Sequence, residues 1–284
     1  MSDDNKANSK YYRNHRLKQV KMQRQVRITE RRLGRLRMIY KLIIIMSMII
    51  LGLFILKMPQ WRLPSNTFDS VNSKSLEIVN NHIVPSQKVL SALRRTQVPT
   101  KPLFLVKTSS LKESILKLDP IKDVYIRRFW LPARLQVVII ERTPMVTISP
   151  NIDSPPIAFF TTDGKLIGRD YLPLDASYDT VKVITYGVGD DYRSWNLDKI
   201  TTFKKIATMI ESESGETVEY IDYRDPKDVY VKIPTVNIRL GSINSSVFDK
   251  IQRLPSLIPQ VKMINKKVKY LDLRWDISYM KLAE

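Results

Sequence analysis

The sequence predicts an α+β protein carried on a single N-terminal membrane helix. Three observations predict it. Residues 42–56 (LIIIMSMIILGLFIL) form an uncharged apolar run behind a strongly basic tail. Downstream, short β-branched runs alternate with segments whose apolar residues recur at helical spacing, so strands and helices share each folded region. No series of alternating ten-residue segments follows, which excludes a membrane barrel. The chain has 284 residues, 43% hydrophobic and 26% charged, enough for one or two modest globular domains. It has no cysteine and two histidines, His15 and His82. That composition excludes disulfide frameworks, thiolate zinc sites and cysteine nucleophiles, and leaves no basis for a Ser-His-Asp triad or a multi-histidine metal site.

The formal net charge is +19, a value that usually points to nucleic acid or a membrane surface. Its distribution decides between them. Residues 1–41 carry 13 basic and 3 acidic side chains, residues 58–156 carry 14 and 7, and residues 157–284 carry 19 and 18. The excess therefore flanks the apolar run, and the distal half is nearly neutral. The tail holds no DNA-binding motif, Tyr11 and Tyr12 alone make no stacking platform, and no nucleic-acid partner is expected.

Fifteen residues at about 1.5 Å per residue give about 22 Å, short of a bilayer core of roughly 30 Å. Met38, Ile39 and Tyr40 on one side and Met58 on the other extend the run, giving a membrane-spanning segment over residues 38–58. Lys41 and Lys57 reach the headgroups by snorkelling, and Trp61 stands as an interfacial anchor. A buried core helix would not be apolar all round behind so basic a tail. A cleaved signal peptide would not have 41 residues before its apolar core and no small-residue cleavage site. The positive-inside rule puts residues 1–37 in the cytoplasm as a solvated tail near anionic lipid, with Leu17, Val20, Val26, Leu33 and Leu36 giving only weak amphipathic periodicity, and exports everything after the helix. Residues 59–72, polar and containing Pro, Ser and Asn, are expected as a linker.

The first exported region has the order β-α-α-β-β. Leu76–Val79 reads as a strand. Val89, Leu90 and Leu93 place a helix after Ser86, and Ser110 with Glu113 forms a capping box for a second helix ending at Asp119-Pro120. Ile121–Trp130 and residues 135–141 are strands about a Leu131-Pro132 turn. Here Asp119-Pro120, Val124, Ile126, Arg127-Arg128, Pro132 and the sequence Leu135-x-Val137-x-Ile139-x-Glu141-Arg142-x-Pro144 resemble the POTRA domain of the bacterial division proteins of the FtsQ/DivIB family. By residue chemistry alone, Glu141-Arg142 closes the third strand at its solvent end and Pro144 fixes a linker to the next domain. The resemblance places a POTRA domain at residues 73–143 and a second, mixed α/β domain with a largely antiparallel sheet at residues 144–284.

In the second region, Asp163-Gly164 is a hairpin turn between strands at 157–160 and 166–167, and Asp163 is a turn aspartate rather than a catalytic carboxylate. Residues 181–186 form a strand. Ser194 or Asn196 caps a helix that buries Ile200, Phe203, Ile206, Ala207 and Ile210 and ends at Gly215. Strands follow at 217–223, 228–233 and 235–240, then a helix after Ser246, then strands at 268–275 and 278–282. Gly187-Val188-Gly189 lacks the context of a nucleotide loop and is a plain loop. Asp190-Asp191, Glu211 and Glu213 are expected on solvated surface. The Asp163-Gly164 hairpin, Leu240-Gly241 and Tyr270-Leu-Asp272-Leu-Arg274-Trp275 resemble FtsQ in the same order. Pro255 and Pro259 depart from the family by interrupting the penultimate helix, and the end at Glu284 is expected to shorten the last strand.

The resemblance implies a non-enzymatic scaffold of the inner membrane at the division septum, single-pass with a cytoplasmic N-terminus, linking early and late division proteins. It implies no cofactor and no catalytic or metal site. The implied partners are FtsB- and FtsL-like proteins, with further division proteins and membrane lipid at the POTRA domain. The residues expected to bind a partner by strand addition are Trp275, Ser278, Tyr279, Met280, Lys281 and Leu282, with Trp275 equally suited to core packing. The alternatives are a POTRA-type adaptor in outer-membrane or secretion assembly, a membrane-anchored hydrolase, for which no nucleophile or paired carboxylates stand out, and a DNA tether resting only on the basic tail.

Overall fold

Helix α1 (Asp3–Lys57) opens the chain and runs unbroken for 55 residues through the basic tail and the apolar run. The tail, expected as a solvated segment with only weak amphipathic periodicity, is helical. In the computed structural model, which describes residues 3–186, 190–264, 268–275 and 277–282, the chain divides into two compact units, Met1–Arg62 and Leu63–Glu284. The part of α1 from Arg32 to Lys57 is long and apolar enough to cross a bilayer, and none of its hydrophobic window is buried by protein. Lys41 and Lys57 are exposed along it, and Trp61 lies in a 3-10 turn, Pro59–Trp61, directly after its end. Met58 lies outside the helix.

The second unit begins earlier than its polar sequence suggested. Leu63, Thr67 and Phe68, expected in a linker, are buried with the core of the first domain, and Arg94 donates through Nε to the Phe68 carbonyl at 2.7 Å. The core elements follow in the expected order: β1 (Leu76–Val79), α2 (Ser86–Arg94), α3 (Ser109–Leu116), β2 (Ile121–Trp130) and β3 (Ala133–Glu141). They form a three-stranded sheet ordered β1-β3-β2, with β1 parallel and β2 antiparallel to β3. Val89, Leu90 and Leu93 of α2 and Leu111 and Ile115 of α3 pack on Val124, Leu135, Val137 and Ile139. The capping box does not form. Ser110 lies inside α3, whose N-cap is Thr108, and no side chain caps the helix. The helix starts at Ser109, so Ser110 is its second residue and does not stand at the cap position.

Glu141 does not close its strand toward solvent. Its carboxylate accepts from three successive backbone N–H groups, His82 at 2.9 Å, Ile83 at 2.9 Å and Val84 at 2.7 Å. These donors belong to the loop that leaves β1, which Asn80 turns with a φ of +66° and Asn81 braces through Val84 and Ser86. Their own ladder partners are lost at the turn, so the carboxylate takes the place of a missing strand.

No linker follows. Only Arg142 and Thr143 separate β3 from β4 (Pro144–Ser149), a fully buried strand where Pro144 predicts a linker. Pro at the first position of a strand loses no ladder bond that matters. Next come β5 (Ala158–Thr161), β6 (Leu166–Gly168), β7 (Val181–Ile184), α4 (Leu197–Ser214), β8 (Tyr220–Asp222), β9 (Val229–Lys232), β10 (Asn237–Gly241), α5 (Val247–Ile251), α6 (Leu254–Met263), β11 (Val268–Asp272) and β12 (Tyr279–Leu282). The strands make one nine-stranded sheet in the order β12-β11-β10-β9-β8-β7-β4-β5-β6. Parallel pairs at β4–β7, β7–β8 and β10–β11 interrupt an otherwise antiparallel sheet. Asn196 caps α4 by accepting from the Lys199 N–H, and Gly215 ends it with a φ of +70°. The five expected core residues of α4 are all buried. The penultimate helix is split into α5 and α6. Pro255 falls in the first turn of α6, where its missing N–H costs nothing, and Pro259 lies inside it. Residues 187–189, expected as a loop, lie outside the described residues.

Asp191 is exposed as expected, but Asp190, Glu211 and Glu213 are half-buried, and three of the four acids hold hydrogen-bond donors. Asp190 accepts from Trp195 Nε1, the Tyr223 hydroxyl and Lys199; Asp191 accepts from the Arg193 N–H; Glu211 accepts from the Val218 N–H. Asp163 sits in its turn, bonded to the Thr161 hydroxyl and ion-paired with Arg142. That ion pair belongs to a seam between the two sheets. Ile83, on the loop held by Glu141, packs with Phe159 and Ile167, and Lys165 pairs with Asp119 at 2.8 Å. Replacing Glu141 with Ala leaves three N–H groups without an acceptor and is expected to lower stability by about 3 kcal/mol, with Glu141→Gln intermediate, read by denaturant unfolding of the whole chain.

Candidate partner-binding edge

Among the described residues, β12 has a neighbour on one side only, β11, and ends the nine-stranded sheet. It pairs antiparallel through Asp272↔Tyr279, Leu271↔Met280, Tyr270↔Lys281 and Val268↔Leu282, with a register shift between Val268 and Tyr270. Alternation sorts its side chains. Met280 is half-buried against the core beneath the helices, whereas Tyr279 and Lys281 lie on the opposite face and are exposed. Leu282 is exposed as well, and Ser278, just before the strand, is half-buried. Trp275, weighed as a core residue, is 60% exposed, with the Arg274 guanidinium 5.8 Å from its ring centroid. Ile277 is 68% exposed and was not singled out in the sequence.

The face carrying Tyr279 and Lys281 is a connected polar surface. Asp272 accepts from Arg274 through Nε and Nη2, and from the Arg274 N–H at 3.0 Å. The Arg274 carbonyl accepts from Lys250 at 2.6 Å, and Gly241, with a φ of +73°, leaves room for the Arg274 chain, which a Cβ there would meet at 2.9 Å. Arg239 forks onto both Asp228 oxygens, at 2.7 and 2.6 Å, and lies 3.6 Å from Asp272. Its guanidinium stands over the Tyr230 and Tyr270 rings at 5.4 and 5.3 Å, and those rings meet edge to face. Lys281 reaches over Tyr270 at 5.9 Å. The sequence held the signal for this cluster: Tyr230, Arg239, Tyr270 and Asp272 occupy the alternate strand positions that do not face the helices.

The charges are mutually held. The Arg239 hydrogen bonds, with its charge, hold the Asp228 carboxyl below its ordinary value against the effect of burial. Burial alone would raise the Asp272 carboxyl, but the Arg274 bonds and the charges of Arg274 and Arg239 outweigh it and lower it. Arg239 is raised, chiefly by its bonds to Asp228. Such an arrangement ties its side chains to one another through ion pairs and ring contacts. Among the described residues no three His, Asp or Glu groups gather as metal ligands.

The described residues thus join a helix long and apolar enough to cross a bilayer to a small α+β domain and a nine-stranded sheet that ends at β12. Residues 71–142, about a quarter of the chain, match the family described as POTRA domain, FtsQ-type. The chain thus carries an FtsQ-type POTRA domain, and the match supports its assignment to the FtsQ/DivIB family, a family of non-enzymatic scaffolds, and with it a role in cell division. No curated protein sequence matches the chain.

Lowered carboxylates set the sign of acid sensitivity. Asp228 and Asp272 are more acidic folded than unfolded, so their stabilisation is complete above the unfolded value of about 3.9 and disappears as pH falls through their folded values. Stability is expected to hold from neutrality to about pH 5 and to drop steeply below pH 4. Asp272→Asn should be less stable at pH 7 and show a shallower acid loss, measured by thermal unfolding across that range.

Proposed function

We propose that this chain is a divisome scaffold of the inner membrane, single-pass with its basic N-terminus in the cytoplasm, whose exported domains bind FtsB- and FtsL-like division proteins and link early and late assembly at the septum. The observation that carries this reading is the position of β12 at the end of a nine-stranded sheet, with one side unpaired among the described residues. A partner segment adds there as a tenth strand, its backbone satisfying the open N–H and C=O groups. Tyr279, Lys281 and Leu282 then flank it, with Met280 continuing the core side. Trp275 and Ile277, both exposed immediately upstream, supply an apolar anchor of the kind that dominates interface energetics. The chain's work is binding, not catalysis. Orientation follows from the net +10 of residues 1–41, which favours the cytoplasmic side.

Replacing Tyr279 with Lys tests this directly, because the side chain is exposed and its loss spares the core. Affinity for an FtsB-like partner, measured by titration calorimetry with the full chain in detergent, should fall about tenfold, roughly 1.4 kcal/mol, with thermal stability unchanged. Wild-type affinity in a folded variant would overturn strand addition at this edge.

A further inference from the structure

The tip of the β2–β3 hairpin has a composition that the protein-binding edge does not explain. Trp130 and Leu131 are 59% and 63% exposed, and Leu105, on the neighbouring 3-10 turn Leu103–Leu105, is 59% exposed. The Phe104 ring lies 6.4 Å from that of Trp130, and the Arg128 guanidinium donates to the Val106 carbonyl, so turn and hairpin form one surface. Lys101 and Lys107 flank the 3-10 turn in sequence, and Arg127, Arg128 and Arg134 lie on the hairpin strands within four residues of its tip; all five are exposed. None is ion-paired with a carboxylate among the described residues. Arg134 lies 4.5 Å over the Phe129 ring.

Topology says which end of the domain this is. Strand β1 runs parallel to β3, with Leu76 beside Leu135, and the Leu135 N–H donates to the Ser75 carbonyl at 2.9 Å. Residues leading into β1 therefore arrive at the hairpin-tip end of the sheet, while the far end of β3, at Glu141, leads into the second sheet. In sequence, five residues separate the end of α1 at Lys57 from Leu63, the first buried residue of this unit.

We propose that the β2–β3 tip is a lipid-docking site. Trp130, Leu131 and Leu105 enter the interfacial layer of an anionic bilayer, and the Arg and Lys side chains without a carboxylate partner among the described residues engage headgroup phosphates. Charge complementarity selects this occupant: an apolar point ringed by unneutralised cations matches a negatively charged surface with a hydrocarbon interior. Tryptophan, with an apolar ring and one N–H donor, is the residue suited to that layer. Shallow insertion of this size is weak by itself, and tethering to a membrane helix makes it effective. The proposal is independent of partner recognition at β12, and its failure leaves that function standing.

The absence of cysteine allows a single spin label. The full chain carrying Leu131→Cys with a nitroxide would be placed in nanodiscs of phosphatidylcholine with or without phosphatidylglycerol, with a Ser242→Cys label on the distal domain as reference. The expected result is a severalfold higher ratio of oxygen to nickel-chelate collision at 131 than at 242 in the anionic discs. That ratio should fall toward the reference in about 0.5 M salt, where screening is strong, and in the Arg127→Gln/Arg134→Gln variant. A 131 label as open to nickel as the 242 label in anionic discs would overturn the proposal. So would a label shielded from both probes, which would report protein covering the tip.

Discussion

The carboxylate of Glu141, accepting from the N–H groups of His82, Ile83 and Val84, is the constraint on which the second unit depends. It sits on the last residue of β3 and grips the loop between β1 and α2, so it fixes helix to sheet at one end of the first domain. The same loop presents Ile83 to Phe159 and Ile167 of the second sheet. One side chain thus sets both the internal closure of the first domain and the surface on which the second is seated. Three charge-assisted bonds to one carboxylate, two of them from the buried residues Ile83 and Val84, outweigh the exposed Lys165–Asp119 pair at the same seam.

Distal to the seam the sheet divides its two faces by chemistry. Helices α4, α5 and α6 cover one face with an aliphatic and aromatic core, and the other carries the Asp228–Arg239–Asp272–Arg274 set interleaved with Tyr230 and Tyr270. The acids and bases neutralise one another, so this face stays rigid and nearly uncharged. That agrees with the near-zero charge of the distal half and leaves the cationic excess to the tail and the first domain. The open edge itself is guarded. Strand β12 has four residues, carries Lys281 and meets β11 through a register shift, features that discourage indiscriminate strand pairing.

Periodicity made most of the fold legible. The strand at Leu76–Val79, the Ile121–Trp130 hairpin arm, the buried stripe of α4 and the glycines at 164, 215 and 241 follow from alternation, helical spacing and the need for positive φ. The misses share a cause: each was a polar or proline-bearing stretch whose role is tertiary. Leu63, Thr67 and Phe68 are too sparse for a periodic signal yet fill the core. Pro144 reads as a break and begins a buried strand, and Asp190 reads as surface and gathers three donors. Ser110 and Glu113 have the spacing of a cap, but the helix starts at Ser109, before it. At the edge, the existence of a last strand was readable from residues 278–282, whereas the exposure of Trp275 and Ile277 depended on where the chain turns after Asp272.

The junction at Arg142 and Thr143 has a mechanical meaning. With two residues between β3 and β4, and with the Arg142 N–H bonded to the Pro120 carbonyl and the Thr162 N–H to the Thr143 carbonyl, the backbone passes from one sheet to the next without slack. Six hydrogen-bonded ladders then connect β4 to β12. A pull on a strand attached at that edge is borne by continuous sheet up to the first domain and its hairpin, not absorbed by a flexible tether. Within this unit the open edge is therefore held at a fixed distance and angle from the first domain, as the arm of a bracket is from its plate.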